Sequence, residues 1–201
     1  MQIKNNNKNR GYTIIETMIA ISIFLVVVMI GTNALLNANL IHRKSQDMRS
    51  IIDNLSFIME DISRNLRTGY NYHCGSSGDF SVPLSCPSGD STIAFESANG
   101  DPLDVVDQWV YRINIDKIEK SISDASNGND FIQLNPDEVK IDAAASGFFV
   151  TGAEPSPGDI EQPYVTIKLV GNITYKPGTP NAVVTPFSLQ TLVSQRLIDR
   201  Q

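Results

Sequence analysis

Gly11 and Glu16 lie at the start of a long apolar stretch, and their types and spacing suggest chemistry. A carboxylate such as that of Glu16 costs about 2.5–3.5 kcal/mol to place in a membrane helix, so its presence there indicates a function. Gly11 is the small residue at this end, and it precedes the apolar stretch, whereas the cleavage site of a secretory signal peptide follows it. Cleavage next to Gly11 would therefore leave the apolar helix on the mature protein.

The apolar stretch is long enough to cross a membrane. Residues Thr17 to Ile41 include no charged side chain. As a helix they would span about 37 Å, which exceeds the roughly 30 Å of a hydrocarbon core. Residues 1–11 include Lys4, Lys8 and Arg10 and no acid. Because basic flanks stay in the cytoplasm, we expect the rest of the chain to be exported.

The order of residues 10–16, Arg-Gly-Tyr-Thr-Ile-Ile-Glu, resembles the prepilin processing motif of the type IV pilin-like proteins. This family comprises pilins, minor pilins and the pseudopilins of type II secretion. The resemblance implies that a prepilin peptidase cuts between Gly11 and Tyr12 and that the new amino terminus is methylated. It also implies assembly into a helical filament in which the carboxylate of Glu16 meets the amine of an adjacent subunit. Since Glu16 is four residues beyond Tyr12, the two groups would also be neighbours on one helix. The alternative is that Glu16 reaches the lipid headgroups.

Two cysteines, Cys74 and Cys86, follow in the part of the chain that we expect to be exported. An exported compartment permits disulfides, and closing a loop of this size would add about 3 kcal/mol to the stability. We therefore predict a disulfide, with two free thiols as the alternative. The spacing does not match a zinc site.

The remaining candidates for chemistry favour a protein that is not an enzyme. His42 and His73 are isolated in the sequence, and we expect both at the surface. There is no Gly-x-Ser-x-Gly turn and no phosphate-binding glycine loop. The acidic residues after position 98 resemble an ordinary turn rather than a calcium-binding EF-hand loop; they are Asp101, Asp104 and Asp107, next to Asn99. We predict no metal and no cofactor, and the net charge of −6 disfavours nucleic acid as a partner.

The sequence predicts an α+β, pilin-like fold in which one long helix packs on an antiparallel β-sheet domain. After position 36 the helix has an apolar stripe with spacings of three and four, formed by Met48, Ile51, Ile52, Leu55, Ile58, Met59, Ile62 and Leu66. We expect the helix to end at Thr68, with Gly69 in a left-handed conformation. Residues 70–99 are predicted as a loop with one strand at Ser91–Ser97. Alternating patterns predict further strands, near Trp109–Ile115, Ile118–Ile122, Phe131–Leu134, Val139–Asp142, Phe148–Thr151, Val165–Leu169 and Phe187–Val193. The expected organisation is a leader at 1–11, a transmembrane and filament-core helix at 12–36, its amphipathic continuation at 37–68, and an exported β-rich domain at 69–201.

The second half of the chain resembles the J-type minor pseudopilins and related minor pilins. Several segments resemble those of that group and occur in the same order along the chain. They are Trp109–Ile113, Ile118–Lys120, Leu134–Pro136, Gly147–Val150, Gln162–Ile167 and Phe187–Arg196. The resemblance implies a structural subunit that helps to initiate and tip a type II secretion pseudopilus. Its expected partners are I-type and K-type minor subunits, the major subunit and the prepilin peptidase at the inner membrane. The alternatives are a minor pilin of a type IV pilus, for adhesion, motility or DNA uptake, and, in another class, a single-pass anchored receptor or enzyme.

Overall fold

A computed structural model describes residues 11–101, 104, 106–123, 130–155, 161–175 and 183–196. The basic part of the expected leader, including Lys4, Lys8 and Arg10, lies outside the described residues. The chain divides into two compact units, here called the N-terminal unit (Met1–Gln46) and the β-rich unit (Asp47–Gln201). The long helix and the antiparallel sheet structure confirm the predicted α+β class.

Helix α1 (Ile14–Thr68) is 55 residues long. In the N-terminal unit its apolar side chains are exposed, as for Ile23 (61%) and Phe24 (65%). Its most apolar window has a mean hydropathy of 2.6 and is not buried, so among the described residues this helix is the candidate membrane span. The hydroxyl groups of Ser22 and Thr32 each donate to a carbonyl one turn earlier, at 2.8 Å. Bonding within the helix satisfies these polar groups without water.

In the β-rich unit, the same helix has one buried face. Its buried members are Leu55, Ile58, Met59, Ile62 and Leu66, with Met48 and Ile51 partly buried and packed against the core. Ile52 was predicted in the stripe but is 45% exposed. It lies one position beyond Ile51, so the rotation of about 100° per residue turns it away from the core.

Gly69 ends the helix for a reason that differs from the prediction. It is not among the glycines with a positive φ. Instead the chain passes so close to residues 95 and 96 that a Cβ on Gly69 would lie 2.8 Å from the carbonyl oxygen of Glu96 and overlap the ring of Phe95. Glycine is therefore required at this position by close packing and not by a left-handed turn.

Within the described residues, ten strands form two antiparallel sheets. The strands are β1 (Tyr70–Cys74), β2 (Cys86–Asp90), β3 (Thr92–Glu96), β4 (Trp109–Asn114), β5 (Lys117–Ser121), β6 (Ile132–Gln133), β7 (Val139–Ile141), β8 (Gly147–Thr151), β9 (Tyr164–Tyr175) and β10 (Val183–Ser194). The first sheet has the order β1-β3-β4-β5-β6, and the second has the order β10-β9-β8-β2, with β7 paired to β9.

The main differences from the sequence prediction are β1 and β2, which lie in the segment predicted as a loop. Strand β1 pairs with β3, and β2 pairs with β8. Both strands contain irregular registers, and Gly89 in β2 has a positive φ of 83°. Such irregular, glycine-containing strands lack the alternation that identifies a strand in the sequence, so long-range pairing decides them.

One core joins α1 to both sheets within the β-rich unit. The first sheet contributes Phe95 and Tyr111, and the second contributes Phe148, Val165 and Ile167, all fully buried. Phe95 stacks on Tyr111 with ring centroids 6.0 Å apart. The aromatic residues of the two central strands thus cover the buried face of the helix.

Candidate functional site

The peptide bond between Gly11 and Tyr12 lies in an exposed segment just before α1. Tyr12 is 82% exposed, and apart from the chain neighbours of Gly11 no atom of the described residues lies within 4 Å of the position that a Cβ would take there. Neither residue is helical, because α1 begins at Ile14. A peptidase could therefore reach this bond without unfolding the helix.

Thr13 caps the start of the helix, a role that the sequence analysis missed. Its Oγ1 accepts a hydrogen bond from the amide of Glu16 at 3.3 Å, and its carbonyl accepts from Thr17 at 3.2 Å. Thr-x-x-Glu is the sequence signature of a capping box and could have revealed it. The cap fixes the first helical turn immediately after the candidate cleavage site.

Glu16 lies in the first turn of α1 and is exposed. Its negative charge is favourable there because the helix N-terminus carries a partial positive charge. In the uncut chain Tyr12 precedes the helix, which begins at Ile14. That the amine of Tyr12 and Glu16 become neighbours on one helix after cleavage stays a prediction. The carboxylate thus projects from the helix surface, where a group on another molecule could meet it.

The same region matches a known family. Residues 6–32 match the family model described as the prokaryotic N-terminal methylation motif. The chain is type IV pilin-like. No curated protein and no solved structure matches it in the other comparisons. The motif and the apolar helix α1 fit a pilin-like protein anchored in the inner membrane, and the match covers both Gly11 and Glu16.

In the β-rich unit of this pilin-like chain, the structure joins Cys74 and Cys86 in a disulfide, with their Cα atoms 5.7 Å apart. The bond connects β1 to β2 and so links the edges of the two sheets. Ser85, next to Cys86, donates from its backbone amide to Glu154 at 2.8 Å, and its hydroxyl also bonds that carboxylate. Burial acts to raise the pKa of Glu154, but these hydrogen bonds outweigh it and lower the pKa. The end of the disulfide loop, just before Cys86, is therefore held against the segment that follows β8.

His73 is buried at 3% exposure, so the prediction of a surface histidine is wrong. Its Nδ1 lies 2.7 Å from the carbonyl of Val82, and its Nε2 lies 3.3 Å from the carbonyl of Ser77. The ring also meets Phe80 edge-on at 5.0 Å. The partners are backbone groups of the disulfide loop, which no sequence pattern around His73 identifies. The histidine organises that loop.

A polar cluster fastens the helix of the β-rich unit to the first sheet. Tyr111 donates to Asp61 at 3.1 Å and accepts from Asn65 at 2.7 Å. Lys120 binds Asp61 at 3.3 Å and lies 4.4 Å from the centre of the Trp109 ring. Burial raises the pKa of Tyr111 well above its ordinary value. The neutral phenol therefore persists across the working pH range and bridges the two helix side chains.

The acidic segment after position 98 forms hydrogen-bonded turns. Asp104 accepts a hydrogen bond from the amide of Val106 at 3.0 Å, and Asp107 accepts one from the amide of Asp101 at 3.0 Å. Within the part of the chain that the structure describes, no three His, Cys, Asp or Glu side chains are grouped as a metal site would require. These contacts are those of a structural loop.

Proposed function

We propose that this pilin-like chain is a structural minor subunit of a type II secretion pseudopilus that helps to initiate and tip the filament. The match of residues 6–32 to the N-terminal methylation motif is the observation that carries the proposal. It supports a pilin or pseudopilin subunit, and pilin-like families are structural subunits rather than enzymes. The resemblance of the second half to J-type minor pseudopilins favours the secretion filament over a type IV pilus.

In this proposal residues 1–11 are removed and residues 12–36 form the membrane and filament-core helix. Residues 37–68 continue that helix, and residues 69–201 are the exported domain. The exposed Gly11–Tyr12 bond suits a peptidase substrate, and the Thr13 cap would keep the new terminus next to an intact helix. The inner membrane is the site of processing, and the filament is the final location.

Glu16 has the assembly role in this proposal. Placing its carboxylate in lipid costs about 2.5–3.5 kcal/mol, and pairing with the methylated amine of a neighbouring subunit offsets that cost. The subunit is thereby drawn into the filament. A subunit that keeps this carboxylate has a neighbour to pair with, so we place it just below the tip, beside I-type and K-type minor subunits and above the major subunit.

The hairpin of β4 and β5 supports the J-type assignment. It contains the resembling segments Trp109–Ile113 and Ile118–Lys120, and the two strands pair Ile113 with Ile118. Tyr111 and Lys120 of this hairpin make the contacts with Asp61 described above. The residues of the resemblance therefore have a common structural task, which is to hold the helix on the sheet.

Mass spectrometry of the protein purified from its native membrane tests the class. The expected result is loss of residues 1–11 and a methylated amine on Tyr12, with the full-length chain recovered from cells that lack the peptidase. A full-length chain in cells with active peptidase would contradict the proposal and favour a single-pass anchored receptor or enzyme.

Co-purification tests the role of Glu16. At matched expression, Glu16→Val should recover less of the other minor subunits, although membrane insertion and cleavage stay intact. Thr17→Val is the matched control, since it changes the same turn without removing a charge, and the hydroxyl that it removes donates to the carbonyl of Ile14 in the same helix at 2.8 Å. Equal recovery with both variants would favour the alternative in which Glu16 reaches the lipid headgroups.

Crosslinking in the native membrane distinguishes a pseudopilus subunit from a type IV pilus subunit. Crosslinks to pseudopilus subunits would support our proposal, and crosslinks to type IV pilus subunits would support a minor pilin instead.

A further inference from the structure

Glu96 is a carboxylate in the interior of the β-rich unit. It ends β3 and is 0% exposed, as is Gln108, which precedes β4. The Nε2 of Gln108 donates to Oε1 of Glu96 at 2.7 Å and to the carbonyl of Phe80 at 3.0 Å. Since acceptors lie on both sides of Nε2, the orientation of this amide is fixed and its oxygen points elsewhere.

Three buried side-chain oxygens lack a hydrogen-bond partner among the described residues, and all belong to this cluster. They are Oε2 of Glu96, Oδ1 of Asp107 and Oε1 of Gln108. The carboxyl group of Asp107 lies within hydrogen-bonding reach of Glu96. Every one of these oxygens is an acceptor while both carboxyl groups are ionised, so the ionised cluster contains no donor to satisfy them. One added proton would supply that donor.

The groups around Glu96 also favour the neutral acid. Asp107 and Asp101 act on it from the following loop, and Tyr70 of β1 lies nearby, with its hydroxyl donating to the carbonyl of Gly100 at 2.6 Å. Burial, and then these carboxylates, raise the pKa of Glu96 to about 7, although the hydrogen bond from Gln108 acts in the opposite direction. Two adjacent carboxylates away from water do not both ionise readily.

We propose that Glu96 and Asp107 form a proton-binding pair in which one shared proton fastens the loop between β3 and β4, and that release of this proton loosens the loop. Asp107 is already bonded to the amide of Asp101 through Oδ2, at 3.0 Å. Gly100 lies so close that a Cβ there would be 2.6 Å from Oε2 of Glu96. The shared proton therefore links the strand end to both halves of the loop.

The direction of the pH effect follows from the two states. The ordinary pKa of Glu96 is 4.5 and the folded pKa is about 7. Between these values the folded protein holds a proton that the unfolded chain has lost, so stability falls as the pH rises through this window. Above pH 7 both states are deprotonated at Glu96, and this contribution no longer changes.

Thermal unfolding of the full chain in detergent micelles tests the pair, followed by the fluorescence of Trp109, the single tryptophan. The unfolding midpoint of the wild type should fall between pH 5.5 and pH 8.5 by about 4–8 °C more than that of Glu96→Gln. The amide of that variant donates to Asp107 at every pH. Glu138→Gln, which neutralises an exposed glutamate, should behave like the wild type. The contributions of all other titratable groups cancel in this comparison, because the wild type and the variant share them.

Equal pH dependence in the wild type and Glu96→Gln would overturn the proposal. Asp107→Asn provides a second variant if Glu96→Gln does not fold, and it should show a smaller decline than the wild type because the like charge is gone. A full decline in Asp107→Asn would count against the pair. The last comparison measures the unfolding midpoint at pH 8.5 in calcium chloride and in EDTA. If calcium raised the midpoint of the wild type but not that of Glu96→Gln, the cluster would bind a cation rather than a proton, and the proposal would be overturned.

Discussion

The part of α1 in the N-terminal unit and the part in the β-rich unit have the same secondary structure but opposite surfaces. Before Gln46 the helix exposes large apolar side chains in every direction, and its hydroxyl groups bond within the helix. After Asp47 most of the apolar residues lie on one buried face, with Ile52 and Phe57 as exposed exceptions. Polar side chains such as Asp61 and Asn65 bond to the first sheet. The comparison shows that the distribution of apolar residues around a helix indicates whether it suits a lipid environment or packs one face on a protein core.

The largest expected effect on the free energy of unfolding comes from the buried face of α1 in the β-rich unit, and not from its exposed positions. Ile62→Ala should lower the free energy of unfolding of the β-rich unit by about 2–5 kcal/mol, because Ile62 is fully buried and the change leaves a cavity. Ile52→Ala, on the same helix but 45% exposed, and Ile23→Ala, in the N-terminal unit, should each change it by less than about 0.5 kcal/mol. Urea unfolding followed by Trp109 fluorescence measures all three. Similar losses of unfolding free energy at the three positions would contradict the distinction between the buried face and the exposed positions of α1.

The disulfide should give the next largest effect. Replacing both Cys74 and Cys86 by serine should cost about 2–4 kcal/mol of unfolding free energy, since the bond restricts the unfolded chain. The same urea titration measures it, with the wild type under reducing conditions as the matched comparison. Thiol labelling of the denatured, unreduced protein checks the pairing itself, and two labelled cysteines per chain would refute it.

The hydrogen bonds of the Tyr111 hydroxyl to the helix should have the smallest of the three effects on the free energy of unfolding. Tyr111→Phe should cost about 1–3 kcal/mol, because it leaves Asp61 and Asn65 without their shared partner. The same change at Tyr12, which is 82% exposed in the N-terminal unit, should leave the stability of the β-rich unit unaltered. If Tyr111→Phe were also neutral, the hydroxyl would not contribute to holding the helix on the sheet.

Local patterns determined much of this protein from sequence alone. The charge-free run from Thr17 and the motif around Gly11 and Glu16 depend only on residue types at fixed spacing, and the α+β class and the pilin-like recognition both followed from such patterns. The helix and the strands with alternating residues, such as β4 and β9, were found for the same reason. Even the Thr13 cap was visible as Thr-x-x-Glu, although it was not used.

The tertiary structure decided what depends on residues far apart in the chain. Strands β1 and β2 exist because partners from β3 and β8 complete their irregular backbones. His73 is buried because loop carbonyls surround it, and Gly69 is needed because β3 passes close by. Glu96 lies within the strand predicted at Ser91–Ser97, but only folding placed it against Asp107 and away from water. Burial and unpaired oxygens result from the arrangement of distant segments, which local spacing does not encode.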